Sequence, residues 1–296
     1  MRVLVTGATG FVGNWVVKEL LARGHQVRAL VRPGSEGKLQ DADRVEVAPG
    51  DVLKSGSLAY ATQGCGAVIH LVGIIREFSR RGITFERLHV EATKNLVDAA
   101  REAGAKRYLQ MSALGARPAP ADPYHVTNFR ADVYVQASGL AYTIFRPSVI
   151  YGPGDQSLNL FARQMKMFPV FPIIGDGRYQ MQPVPVQTVA QAFALALELP
   201  RTGNKIYDVG GPEPLTFNAI IDTLAQVLGR LILKAHLPVW NMRFLAWLLG
   251  RFAWFPLTTG QIRMLLEGNT CDPSSFYQDF GLTPTPFQEG LARYLS

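Results

Sequence analysis

Thr6-Gly7-Ala8-Thr9-Gly10-Phe11-Val12-Gly13 is the stretch whose residue types and spacing could hold a phosphate. It follows a short β-branched run, Arg2 to Val5. It precedes Asn14 to Arg23, where Trp15, Val16, Val17, Leu20 and Leu21 recur at helical spacing. In a strand, turn and helix of this kind each glycine has its own task. Gly7 permits the tight turn off the strand, Gly10 lets the backbone approach a pyrophosphate, and Gly13 allows the helix to pack close to the sheet. The N–H groups around Thr9, Phe11 and Val12, with the positive end of the helix, would face the phosphates.

The residues that would choose between dinucleotides come next. Gln26 to Val31 reads as a second strand, closed by Arg32-Pro33-Gly34-Ser35. An acid at the end of this strand would hold the adenosine ribose hydroxyls of NAD. There is none between Gln26 and Ser35, and Arg32 stands there instead. A guanidinium pairs with a 2′-phosphate that a carboxylate would repel. This favours NADP(H), with NAD(H) the alternative if Arg32 is a solvated loop charge. Val45 to Ala48 is a third strand. After it, Asp51, next to Val52, can accept from the adenine amino group, cap the following helix, or do both. Ala67 to His70 is a fourth strand, and Leu71-Val72-Gly73 would run along the cofactor with its backbone.

Stepping along the chain gives the elements that must position these residues. Ile74 to Thr84, with Arg76, Arg80 and Arg81, reads as a solvated connection. Phe85 to Ala103 reads as a helix in which His89 packs. Lys106 to Met111 and Tyr142 to Arg146 complete six strands alternating with helices. That alternation predicts an α/β fold with a parallel, doubly wound, Rossmann-type sheet over residues 1–154. Val186 to Leu199 and Lys205 to Val209 return to it. Residues 155–185 and 210–296 form a smaller C-terminal α/β lobe.

Composition limits the function classes. Among 296 residues 48% are apolar, enough for a full core. The net charge of +7 suits an anionic ligand or surface, but no basic run marks a nucleic-acid site. Cys65 and Cys271 form no metal-binding spacing, so no metal is expected. The first strand begins at residue 2, which argues against a cleaved signal peptide. No uncharged apolar run reaches membrane-spanning length, so the cytoplasm is the expected location. Pro238 to Ala253 qualifies this. As a helix it carries Met242, Phe244, Leu245, Leu248, Leu249 and Phe252 on a broad apolar face, with Arg243, Trp247 and Arg251 beside it. Such a face fills the small lobe's core, meets another subunit, or lies peripherally in a membrane interface.

The motifs together resemble the extended or atypical short-chain dehydrogenases/reductases of the epimerase/dehydratase kind. The resemblance is carried by Thr6 to Gly13, Gly50-Asp51-Val52, His70 to Gly73, Met111-Ser112-Ala113, Tyr124, and Arg146-Pro147-Ser148-Val149-Ile150-Tyr151-Gly152. Gly175-Asp176-Gly177, Gly210-Gly211-Pro212-Glu213 and Met264 to Asn269 look like bacterial relatives of the nucleotide-binding accessory subunit of respiratory complex I. The resemblance implies that Tyr124, Pro147 and Val149 also contact the cofactor, and that Tyr124 pairs with the residue four later, with Ser112 polarising the oxygen of a small carbonyl or sugar-like substrate. It further implies contact with a respiratory complex as an alternative role. In active members a Lys four residues after the Tyr lowers the phenol's pKa and holds the nicotinamide ribose. Here that position is Asn128. An amide can bond a ribose, but it carries no charge, and a phenol near its ordinary pKa of about 10 is a poor base at neutral pH. Two readings stay open: an enzyme with an impaired pair, and a protein that binds NADP(H) without turnover.

Overall fold

The computed structural model describes residues 1–118, 122–250 and 257–295. Pro120, and Arg251, Phe252 and Ala253 of the aromatic segment, lie outside the described residues. The chain divides into two units, Met1–Pro147 with Val186–Val209 and Ser274–Leu282, and Ser148–Pro185 with Gly210–Pro273 and Thr283–Ser296. The division falls after Pro147, where strand pairing in the first unit stops.

In the first unit, β1 (Arg2–Thr6), β2 (Gln26–Val31), β3 (Glu46–Pro49), β4 (Ala67–His70), β5 (Arg107–Met111), β6 (Ala141–Pro147) and β7 (Lys205–Val209) form one parallel sheet. The order among the described residues is β7-β6-β5-β4-β1-β2-β3, which is the Rossmann-type arrangement the alternating pattern predicts. The central strands are apolar on both faces: Val3, Leu4, Val5, Val68 and Ile69 are fully buried. A strand covered on both sides reads as a continuous apolar run, which is why β1 and β4 do not alternate. The order in which strands are added reverses between β1 and β4: β2 and β3 extend the sheet on one side of β1, and β4 to β7 on the other. Their carboxyl ends therefore border the crevice where doubly wound sheets take ligands.

The helices of this unit that carry or adjoin the expected site residues are α1 (Phe11–Ala22), α2 (Ser55–Thr62), α3 (Ala92–Glu102) and α4 (Pro123–Gln136). Helix α1 buries Val12, Gly13, Val16, Val17 and Leu20. Helix α3 is entered through wider, π-type turns over Glu86–Glu91, so His89 sits in a bulged rather than a regular stretch. Helix α4 starts at a proline whose missing N–H costs nothing there, and Asp122 Oδ1 caps it by accepting from the His125 N–H at 3.2 Å. At the far edge, Phe276 and Phe280 pack on Phe145 and Tyr207.

The second unit is built on Phe171, Ile220, Leu224, Phe287 and Leu291, which helices Leu158–Met167, Phe217–Val227 and Phe287–Leu295 supply with the strand Val170–Ile174. That strand pairs in parallel with Leu233–Leu237. Thr216 caps its helix as its residue type predicts, accepting from the Ala219 N–H at 3.1 Å. Helix Val239–Leu249 divides the apolar face predicted for the aromatic segment. Val239, Met242 and Ala246 pack against Ile174 and Ile262, whereas Phe244, Leu245 and Leu248, of the same predicted face, are exposed. Among the described residues no helix is long and apolar enough to cross a membrane.

Candidate functional site

The glycine turn is locked by its own backbone. Gly7 has φ +75°, and a Cβ on it would lie 2.9 Å from the Leu71 carbonyl carbon. Only glycine allows β1 and the end of β4 to approach so closely while the chain turns. A Cβ on Gly13 would overlap Gly7 O and fall within 2.7 Å of Ala8 Cα. Gly10 differs: a Cβ there would meet only Gly7 O, at 3.2 Å, and Gly10 lines an open cleft. No side chain caps α1, and its first turn holds no acid. Its N–H groups and positive end are left for an anion. Asn14 braces the turn, donating to Gly10 O (3.1 Å) and Lys38 O (3.2 Å) and accepting from the Gln40 N–H (2.9 Å). Below it, Thr6 Oγ1 and His70 Nδ1 are 2.6 Å apart, and burial pushes His70 down to about 3, so the ring is neutral.

The cleft measures about 400 Å³. Of the expected cofactor residues, Gly7, Thr9, Gly10, Arg32, Asp51, Val52, Leu71, Val72 and Gly73 all line it. Phe11, Val12 and Gly13 do not; they form the start of α1 behind the turn. Asp51 Oδ1 accepts from the Leu53 N–H at 2.9 Å, so it shapes the turn into α2 while still lining the cleft. At the β2 end, Arg32 and Lys54 flank a side pocket of about 350 Å³ with Asp51.

The cleft also corrects the reading of Ile74 to Thr84 as a solvated connection. Phe78 and Ile83 pair as a small hairpin turned by Gly82, whose φ is +67°. The fold-back brings Ile74, Arg81, Ile83, Arg87 and Leu88 to the cleft wall. Arg87 Nη1 is held by Gly82 O at 2.8 Å. Three arginines (Arg32, Arg81 and Arg87) face one acid, Asp51, among the described lining residues. The signal for the hairpin was the local Arg-Arg-Gly turn pattern; nothing local marks its arginines as cleft residues.

Tyr124, Ser112, Asn128 and Pro147 are in the first unit but outside this lining. The Tyr124 ring meets Phe85, His89 and His125 edge-on, with centroids 5.3–5.7 Å apart. Burial pushes its hydroxyl up to about 12, and the Asp122 carboxylate adds to this. His89 links the pair to the cleft wall. Its Nδ1 is 2.9 Å from Thr127 Oγ1, and its Nε2 lies 3.1 Å from Ile74 O and 3.2 Å from Ile74 N. Burial brings His89 down to about 4, so it too is neutral. The Asn128 amide donates to Tyr124 O at 2.9 Å. It therefore serves the backbone of its own helix and supplies no cation to the phenol.

Ser112 does not present its proton to the cleft. Its hydroxyl donates to Asp132 Oδ2 at 3.0 Å, and the same carboxylate oxygen takes Arg146 Nε at 2.9 Å and Nη2 at 2.8 Å. Asp132 is fully buried, and burial pushes it up to about 6 against the opposing pull of Arg146 and Ser112. This triad joins α4 to β5 and β6, and sequence spacing gave no sign of it. Pro147 ends β6 and accepts from the Leu114 N–H at 3.1 Å. Val149 belongs to the second unit, where its carbonyl accepts from the Val184 N–H at 2.9 Å.

Comparison with known proteins agrees with the fold. A family model described as NAD(P)H-binding matches residues 7–167. Subunit 9 of the NADH dehydrogenase (ubiquinone) 1 alpha subcomplex, mitochondrial, from Dictyostelium discoideum is 27% identical over 98% of this chain and 82% of its own length. Sterol demethylase protein B of Methylococcus capsulatus is 30% identical over 99% of this chain and 96% of its own. The solved structure of MoeE5 in complex with UDP-glucuronic acid and NAD matches with a TM-score of 0.79 and 25% identity, covering 99% of this chain and 97% of that one. With the glycine turn, the parallel sheet and a family match over residues 7–167, the chain belongs to the NAD(P)H-binding family of short-chain dehydrogenase/reductase, epimerase/dehydratase-like proteins.

Proposed function

We propose that this chain binds NADP(H) in the cleft at the ends of β1, β2 and β4, and that chemistry there runs in the reductive direction on a small carbonyl or sugar-like substrate. The observation that carries the reading is the charge of the cleft: Arg32 stands at the end of β2, where a carboxylate would select NAD(H), Lys54 flanks the side pocket beside it, and Arg81 and Arg87 add positive charge on the wall. A 2′-phosphate suits such a guanidinium and ammonium pair. The residues also fit the rest of the cofactor. Gly10 leaves room for a pyrophosphate, α1 is uncapped, and the volume falls in the range of small-molecule sites.

When bound, the cofactor supplies the hydride, and the chain holds and orients it. Tyr124, held near 12, is protonated at neutral pH. It can deliver a proton to a developing alkoxide and is a poor acceptor of one. Epimerisation that opens with proton removal is therefore disfavoured relative to reduction. A second reading, an NADP(H)-holding component of a respiratory complex without turnover, is favoured by Asn128. Its amide carries no charge and donates to Tyr124 O, so the cation that would tune the phenol is missing. The similarity to a complex I subunit points the same way.

The test is NADPH oxidation over a panel of carbonyl compounds by the wild type, Tyr124→Phe and Asn128→Lys. Turnover that the Phe change abolishes supports the enzyme. Tight NADPH binding without turnover in any of the three supports the second reading. Failure to bind NADPH sinks both.

A further inference from the structure

Helix Val239–Leu249 carries two apolar stripes, and only one of them is used. Val239, Met242 and Ala246 face inward. Trp240, Phe244, Trp247 and Leu248 recur at i, i+4, i+7 and i+8 on the other side, and Trp240 and Trp247 are each 71% exposed. The Phe244 and Trp247 rings stack with centroids 6.1 Å apart, so these side chains form a plate rather than scattered single residues. Contiguous exposed apolar surface of this kind marks an interaction site.

The sequence on either side of the plate is basic, and this selects the occupant. Between Asp222 and Glu267 it carries Arg230, Lys234, Arg243, Arg251 and Arg263 and no acid, with Lys234 paired to Asp222. Arg243 is exposed on the helix flank, between the packed stripe and the plate. Tryptophan prefers the headgroup layer of a bilayer, and cationic flanks add attraction to anionic lipid. A helix of 11 residues is too short to span a bilayer but long enough to lie in its surface.

We propose that the plate of Trp240, Phe244, Trp247 and Leu248 seats in the headgroup layer of an anionic membrane and holds the protein at its surface. The proposal uses no residue of the cofactor cleft and stands or falls apart from it.

The experiment is flotation of the full chain with phosphatidylcholine vesicles, with and without phosphatidylglycerol. The wild type should float with the anionic vesicles and release as salt is raised. The triple variant Trp240→Ser, Phe244→Ser, Trp247→Ser should lose about 100-fold in partition, with circular dichroism and NADPH affinity unchanged. Arg243→Glu, which keeps the plate, should lose about tenfold. Wild type that stays unbound, or a triple variant that floats as well as wild type, overturns the proposal. So does lipid-free self-association, seen by sedimentation, that the triple variant abolishes while wild type ignores the vesicles: the plate would then face a second copy.

Discussion

Gly10→Ala and Gly13→Ala add the same methyl group to one turn, yet they should fail in opposite ways. At position 13 the new Cβ overlaps Gly7 O and comes within 2.7 Å of Ala8 Cα and 2.8 Å of Ala8 C, backbone atoms that cannot rotate aside. Overpacking of this kind costs about 1–3 kcal/mol, offset in part by up to ~1 kcal/mol for alanine in a helix. A net loss of ~2 kcal/mol is expected. At position 10 the nearest atom is Gly7 O at 3.2 Å, and φ is −82°, open to any residue. Folding then loses only the helix-cap preference, about 1 kcal/mol or less. The methyl instead stands in the cleft, on the approach of the pyrophosphate. Lengthening one charge-assisted hydrogen bond there costs ~2 kcal/mol, about 30-fold in NADPH affinity. Urea unfolding followed by circular dichroism and calorimetric titration with NADPH separate the two effects. Wild-type NADPH affinity in Gly10→Ala, or wild-type stability in Gly13→Ala, would refute the division of labour argued for these glycines.

Three further outcomes follow from named contacts. Arg32→Ala should weaken NADPH binding about 10–100-fold and NADH binding little, and Lys54→Ala should do the same more mildly, both read by calorimetry. Because Tyr124 sits near 12, reductive turnover should show no limb from its ionisation between pH 6 and 10; a limb near pH 10 in the wild-type pH profile would contradict that placement. Asp132 is pushed up from 3.8 to about 6, so its folded state favours the proton. Its contribution is therefore full below the unfolded value and is lost as pH rises through 6, by about 3 kcal/mol. Arg146→Met strands the carboxylate and should cost about 3–5 kcal/mol at pH 7, with part of the loss recovered near pH 5 in denaturant melts.

Local signals made the centre of the fold legible. The glycine turn, β1 and α1 are contiguous in sequence, and each glycine's task follows from its neighbours within seven residues. The run from His70 to Gly73 is readable for the same reason, and it passes Gly7 at Leu71 and Val72. Side-chain networks between distant elements were not legible. Asp132, Arg146 and Ser112 meet only because α4 packs on β5 and β6, so Ser112 read as a substrate-facing hydroxyl while it serves a buried ion pair. Asn128 has the residue type to bond a ribose, but its helix places the amide on Tyr124 O. Arg81 and Arg87 reach the cleft through a hairpin that has no apolar period to announce it. In the aromatic helix, periodicity tells which residues share a face. It does not tell which face meets the core, and the structure divides Met242 from Phe244 and Leu248.

The cleft beside Gly7 and Gly10 is proposed to hold the phosphorylated dinucleotide. Calorimetric titration of the wild-type chain with NADPH and NADH under identical conditions is the test. Saturable binding of both is expected, with NADPH tighter by at least about tenfold, the scale of one added phosphate pairing with Arg32. Equal affinities, or tighter NADH, would contradict it.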